Sequence, residues 1–173
     1  MKRFSILGIV VALLLMLVMV TPVMAKGPVG ETITISWLED AIRYNPGGSI
    51  KASWTNDQLG PATLVRTGKA YHFASIQEYY NQPLENLSGS LVISGGGRLS
   101  GHAKYTSPYS GLPIRDHFRG QVTINGTMVG TYTQWSYAFG PRDDVLAYYP
   151  QAVPAEKGGS GWWFIGYTNY TAH

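Results

Sequence analysis

Cysteine is absent from the 173-residue chain, so no disulfide staples it and no thiolate acts as nucleophile, lipid-attachment point or zinc ligand. Its stability must come from burial and sheet hydrogen bonds. Charge is also scarce. Setting aside Lys2 and Arg3, the 13 basic residues become 11 against 10 acidic ones, and no block of like charge exists. Such a balance leaves no electrostatic footprint for nucleic acid, and none is expected as a partner. No run of spanning length follows Val20. The four histidines fall into no local ligand-pair or His-Glu spacing, and Gly-x-Ser-x-Gly is missing. The sequence therefore calls for no metal or cofactor and has no serine-hydrolase elbow.

What is present begins with an address. Lys2 and Arg3 precede an unbroken apolar run, Ile6–Val20; Thr21-Pro22 ends it, and Val23-Met24-Ala25 places small residues where a signal peptidase reads them. The expectation is a secretory signal peptide over 1–25 and one mature domain over 26–173, starting at Lys26. If it were left uncut, this segment would be the only membrane contact. The mature length suits a single domain with its own core.

Hydrophobic period then argues for an all-β fold. Ile33, Ile35 and Trp37 alternate with polar residues, as do Ile50, Ala52 and Trp54. Ala62–Arg66 and Lys69–Ala74 make two more strands around Thr67-Gly68. Gly95-Gly96-Gly97 splits the pair Ser90–Ser94 and Arg98–Tyr105. On the second of these, Leu99, Ala103 and Tyr105 face one way, while Arg98, Ser100, His102 and Lys104 face the other. Trp162–Tyr170 is the last strand, with a bulge at Gly166. Helical insertions are expected at three places. Ser36-x-x-Glu39 and Ser75-x-x-Glu78 match the capping box, predicting helices over Glu39–Tyr44 and from Ser75 to Tyr80. Pro141 with Asp143 and Asp144 starts a third, with Val145, Leu146 and Tyr149 as its apolar side.

Asn125-Gly126 between two alternating runs is a hairpin signal. A two-residue loop would set Val122 opposite Val129, Arg119 opposite Tyr132, His117 opposite Gln134 and Gln121 opposite Gly130. Val129, Trp135, Tyr137 and Phe139 would then share the buried face. About eight or nine antiparallel strands with two or three short helices close into a β-barrel or stack as a two-sheet β-sandwich. Glycine inside the strands, at 101, 120, 130 and 166, favours the barrel, whose coiled sheet needs kinks.

Two functional classes follow. The leading one is a secreted, non-enzymatic β-barrel that binds a small molecule or carbohydrate through a polar–aromatic cavity or rim. Its candidate ligand-binding residues are His117, Arg119, Gln121, Tyr132 and Trp163. Trp162 and Trp163 are adjacent, so only one enters the core, and Trp163 is assigned to the ligand. Trp37, Trp54 and Trp135 are assigned to the core. The alternative is an enzyme of hydrolase or isomerase type on the same scaffold, using His102, His117 and Asp116.

Overall fold

The computed structural model describes residues 30–78 and 82–173. The segment 1–25 expected to be a signal peptide lies outside them, as do Tyr79 and Tyr80. The strands are β1 (Thr32–Tyr44), β2 (Ile50–Thr67), β3 (Ala70–Glu78), β4 (Gln82–Pro83), β5 (Glu85–Ile93), β6 (Arg98–Thr106), β7 (Pro113–Asn125), β8 (Thr127–Phe139), β9 (Val153–Pro154) and β10 (Trp162–Ala172). The one helix among the described residues, α1, is Arg142–Tyr148. Eight strands pair antiparallel in the order β1-β2-β3-β5-β6-β7-β8-β10, and β10 pairs back onto β1 from Glu39↔Ala172 to Tyr44↔Tyr167. That last pairing makes a closed barrel rather than a sandwich. Two-residue strands β4 and β9 add to β3 and β10. His173 extends the seam through two backbone hydrogen bonds with Leu38.

Side chains alternate between a filled interior and the outer wall. Ile35, Trp37, Leu64, Leu91, Leu99, Val122, Met128 and Tyr132 form the main core inside the barrel. Large interior rings lie beside glycines on the neighbouring strand: Phe118 pairs with Gly101, and Tyr132 with Gly120. A Cβ on Gly120 would come within 2.5 Å of the Tyr132 Cα, so the wall has no room for a side chain there. The rings run on across the interior, from Phe118 to Tyr132 (centroids 6.5 Å) to a stacked Tyr170 (4.6 Å). A second apolar cluster occupies one end. There Ile114, Ala138 and Ile165 meet Val145 and Tyr149, so α1 and the residue after it plug that mouth of the barrel.

Polar side chains separate the two clusters. On β7 Asp116 falls between Ile114 and Phe118, and on β8 Ser136 and Gln134 fall between Ala138 and Tyr132. Asp116 is 2 % exposed. Tyr105 Oη donates to its Oδ2 at 3.0 Å, while Oδ1 is buried without a hydrogen-bond partner. Burial pushes the Asp116 carboxyl up from its ordinary 3.8 to about 6, opposed by polar contacts from Ser136, Tyr105 and Gln134 and by the Arg43 charge. Glu39, also inside, is raised by burial as well, against hydrogen bonds from Trp37, Trp54 and Tyr132. Both folded-state values lie above the unfolded ones. The stability they carry is therefore complete below the ordinary carboxylate range and is lost as pH rises through about 6 for Asp116. For Asp116 alone this amounts to about 3 kcal/mol between acid and neutral pH. Thermal melts across that range should fall toward neutral pH, and Asp116→Asn should flatten the profile.

Two of the expected helices are strand instead. Glu39–Tyr44 continues β1, and Ser75–Glu78 ends β3. The capping-box spacing is compatible with a strand, and what decides is pairing. β1 has a neighbour on each side, and its Trp37, Glu39 and Ala41 enter the barrel with period two. The stretches read as separate strands at 49–55 and 62–66 are one strand, β2, which turns through positive-φ Asn56 and Gly60. The helix after Pro141 and the bulge at Gly166 (between Phe164 and Ser136's partner) stand as expected.

The Asn125-Gly126 hairpin exists, but its register differs by one residue. Asn125 faces Thr127 across Gly126, so Val122 opposes Gly130 and Thr123 opposes Val129. Only Gly126 takes positive φ (72°), whereas a two-residue type I′ turn needs it at both positions. The slip reverses β8. Met128 and Tyr132 point in, and Val129 (49 % exposed), Trp135, Tyr137 and Phe139 point out. Trp135 is therefore on the outer wall and not in the core.

Candidate ligand groove on the outer wall

The outward residues of five adjacent strands meet in register. His72 pairs with Ser90, Ser90 with His102, His102 with His117, and His117 with Trp135. Around this row lies a groove of about 650 Å³. Its floor includes Ser90 and Val92 from β5, Ser100 and His102 from β6, Arg115, His117 and Arg119 from β7, and Trp135 and Tyr137 from β8. Lys157 and Trp162 line it from the chain leading into β10. The Gly158 backbone sits close to both Arg115 and Trp162: a Cβ there would be 3.7 Å from Arg115 Nη1 and 3.8 Å from the indole.

The wall is aromatic and cationic. The Arg115 guanidinium lies 4.1 Å from the centroid of Trp162, a cation–π contact. His117 meets Tyr137 edge-on at 5.7 Å, and Tyr137 packs against Phe164 at 5.3 Å. Burial lowers the His117 pKa first, with Arg115, His102 and Arg119 adding to the effect, so the imidazole is biased toward its neutral form. Among the described residues no carboxylate lines the groove. Charge that looks balanced along the chain is thus segregated by the pleat: acidic Asp116 goes inward while its neighbours Arg115 and His117 go outward.

The sequence-selected residues divide accordingly. His117 and Arg119 line the groove. Gln121 shares their face but lies beyond the groove's lining, its amide donating to the Gly96 carbonyl. Tyr132 is inside the barrel, its Oη donating to Glu39 Oε2 at 3.1 Å, and the residue opposite Arg119 is Thr133. Trp163 packs on the cluster beneath α1 and donates to the Gly140 carbonyl, whereas its neighbour Trp162 faces the groove. The adjacency of the two tryptophans sends them to different sides, Trp162 to the groove and Trp163 to the cluster beneath α1. His102 and His117 are cross-strand partners, but Asp116 is on the other side of the sheet, so the candidate acid–base trio is not assembled. Among the described residues no group of three or more His, Asp or Glu is placed to hold a metal ion, and no helix is long and apolar enough to cross a membrane.

Arg115, Trp135, Tyr137, Lys157 and Trp162 were missed by sequence reasoning. Correct β8 register would have recovered Trp135 and Tyr137. Lys157 carries no signal short of the fold. Compared with protein-family models, curated proteins and solved structures, the chain matches none.

Proposed function

We propose that the chain is an exported, non-enzymatic binding protein whose ligand lies against the outer wall of the barrel, over β5 to β8. The observation that carries this reading is the groove itself: about 650 Å³, lined by Trp135, Tyr137 and Trp162 among Ser90, Ser100, His102 and three fixed cations. That size and that mixture of flat rings with a few convergent polar groups are what small-molecule and sugar sites use. The interior does not compete for the role, being filled by the main core. Export is supported by Lys2, Arg3, the apolar run and Val23-Met24-Ala25.

The test is a thermal-shift and tryptophan-fluorescence screen of the exported protein against monosaccharides and disaccharides. Its intact mass, starting at Lys26, checks the address. Trp135→Ala with Trp162→Ala should abolish any shift while leaving the stability of the free protein within about 1–2 kcal/mol of wild type, since neither ring belongs to the interior core. A probe that binds the double variant as it binds wild type would refute the groove as the site.

A further inference from the structure

The groove has an unmatched charge. Arg115, Arg119 and Lys157 line it together with His102 and His117, and Lys104 stands beside Arg115 on β6. Among the described residues none of these six makes an ion pair; the three that occur join Arg66 to Glu31, Arg142 to Asp143 and His173 to Asp40. Three permanent cations and two histidines brought into one recess without a counterion repel one another, and the repulsion is relieved when an anion enters. Arg115 adds a second, independent observation. Its Nε is buried and has no hydrogen-bond partner, although its guanidinium is held in place by the Trp162 ring. A guanidinium is a fixed fork of donors suited to a planar or tetrahedral oxyanion.

Resting on the groove as the binding site, we propose that it takes a small ring compound bearing an oxyanion. The anion is a carboxylate, sulfate or phosphate met by Arg115, His117 and Arg119, and the ring stacks on Trp135 and Trp162. Arg115, His117 and Arg119 are alternate residues of one strand, so their side chains form a single outward row along β7. The aromatic faces lie on the neighbouring β8 and at the start of β10. One small molecule can therefore span charge and ring contacts at once. A volume of about 650 Å³ suits a compound of drug or disaccharide size rather than a polymer.

His117 makes the site sensitive to pH. His117 faces His102 and Lys104 from β6, Arg115 and Arg119 from its own strand, and Tyr137 from β8, with Lys157 above. All its charged neighbours are cations, so protonation is disfavoured in the free protein and favoured once an anion is bound. Anion binding takes up a proton, and affinity rises as pH falls through the histidine range.

The experiment is isothermal titration of the full chain at low ionic strength with two anionic probes, glucose 6-phosphate and 2-naphthalenesulfonate, beside neutral glucose and 2-naphthol. The anions should bind at least about tenfold more tightly than their neutral partners. The preference should shrink in high salt and vanish in Arg115→Gln with Arg119→Gln, and for the sulfonate, whose own charge is constant, it should grow between about pH 8 and about pH 5.5. A sugar preference or an aryl preference identifies the ring; either supports the inference. Equal binding of charged and neutral partners, lost in Trp135→Ala with Trp162→Ala, overturns the anion while keeping the groove. Binding of the anions that survives both double variants overturns the groove itself. No binding of either anion overturns the inference.

Discussion

Val122→Asp should unfold the barrel or cost about 4 kcal/mol or more, while Val129→Asp should leave the melting temperature almost unchanged. Both valines lie next to the same hairpin, and a two-residue Asn-Gly loop would bury them together. In the structure Val122 is 2 % exposed inside the main core, and Val129 is 49 % exposed on the outer wall. An aspartate at 122 would be an unpaired charge among Leu99, Met128 and their neighbours, with no donor in reach. The penalty is comparable with the whole stability of an ordinary domain, about 5–15 kcal/mol. At 129 the carboxylate is simply solvated. Chemical denaturation of the two variants reads the register directly: equal losses would mean that Val129 is buried and β8 faces the other way.

Glu39→Leu should be the next most damaging change, lowering stability by about 3–5 kcal/mol and the melting temperature by about 10 °C or more. The Glu39 carboxylate lies inside the barrel and accepts from Trp37 Nε1 at 3.1 Å, Trp54 Nε1 at 3.4 Å and Tyr132 Oη at 3.1 Å. Its raised pKa says that desolvation outweighs these bonds when the charged form is compared with the neutral one. Either form still satisfies donors that leucine abandons. Orphaned buried donors cost about 1–3 kcal/mol each, more than is regained by removing a buried acid. Glu39→Gln should be milder, since one oxygen remains to accept while its amide group opposes an indole N–H. If the leucine variant melts like wild type, the donors have found other partners and the network is not what holds Trp37, Trp54 and Tyr132 together.

These two sites mark how far local pattern reaches. The faces of β6 were legible because Leu99, Ala103 and Tyr105 alternate without interruption against Arg98, Ser100, His102 and Lys104. α1 was legible from Pro141 and the acids after it, and the bulge from Gly166. β8 was not. Both of its faces carry large apolar side chains, Met128 and Tyr132 on one and Trp135, Tyr137 and Phe139 on the other, so periodicity cannot say which is inside. The turn had to decide, and one residue of loop length inverted the answer. Glu39 was misread for a related reason. A buried carboxylate on a strand has the same spacing from Ser36 as a capping-box glutamate, and what distinguishes the two is its donors, Trp37 on its own strand together with Trp54 of β2 and Tyr132 of β8. The groove needed both kinds of information: the correct face of β8, and the approach of the 155–161 segment to β7, which no local pattern encodes.

The seam between β1 and β10 has a consequence for how the chain is made. Glu39–Tyr44 must wait for Tyr167–Ala172, the partners most remote from them along the chain. All other neighbouring wall strands except β8 and β10 follow directly or nearly so and can zip up as hairpins soon after they appear. A chain delivered N-terminus first therefore carries β1 with one open edge until β10 arrives to close the barrel. During that interval the exposed edge is a template for pairing with other chains. Closure cannot come early in any chain threaded N-terminus first, because β10 is then still behind.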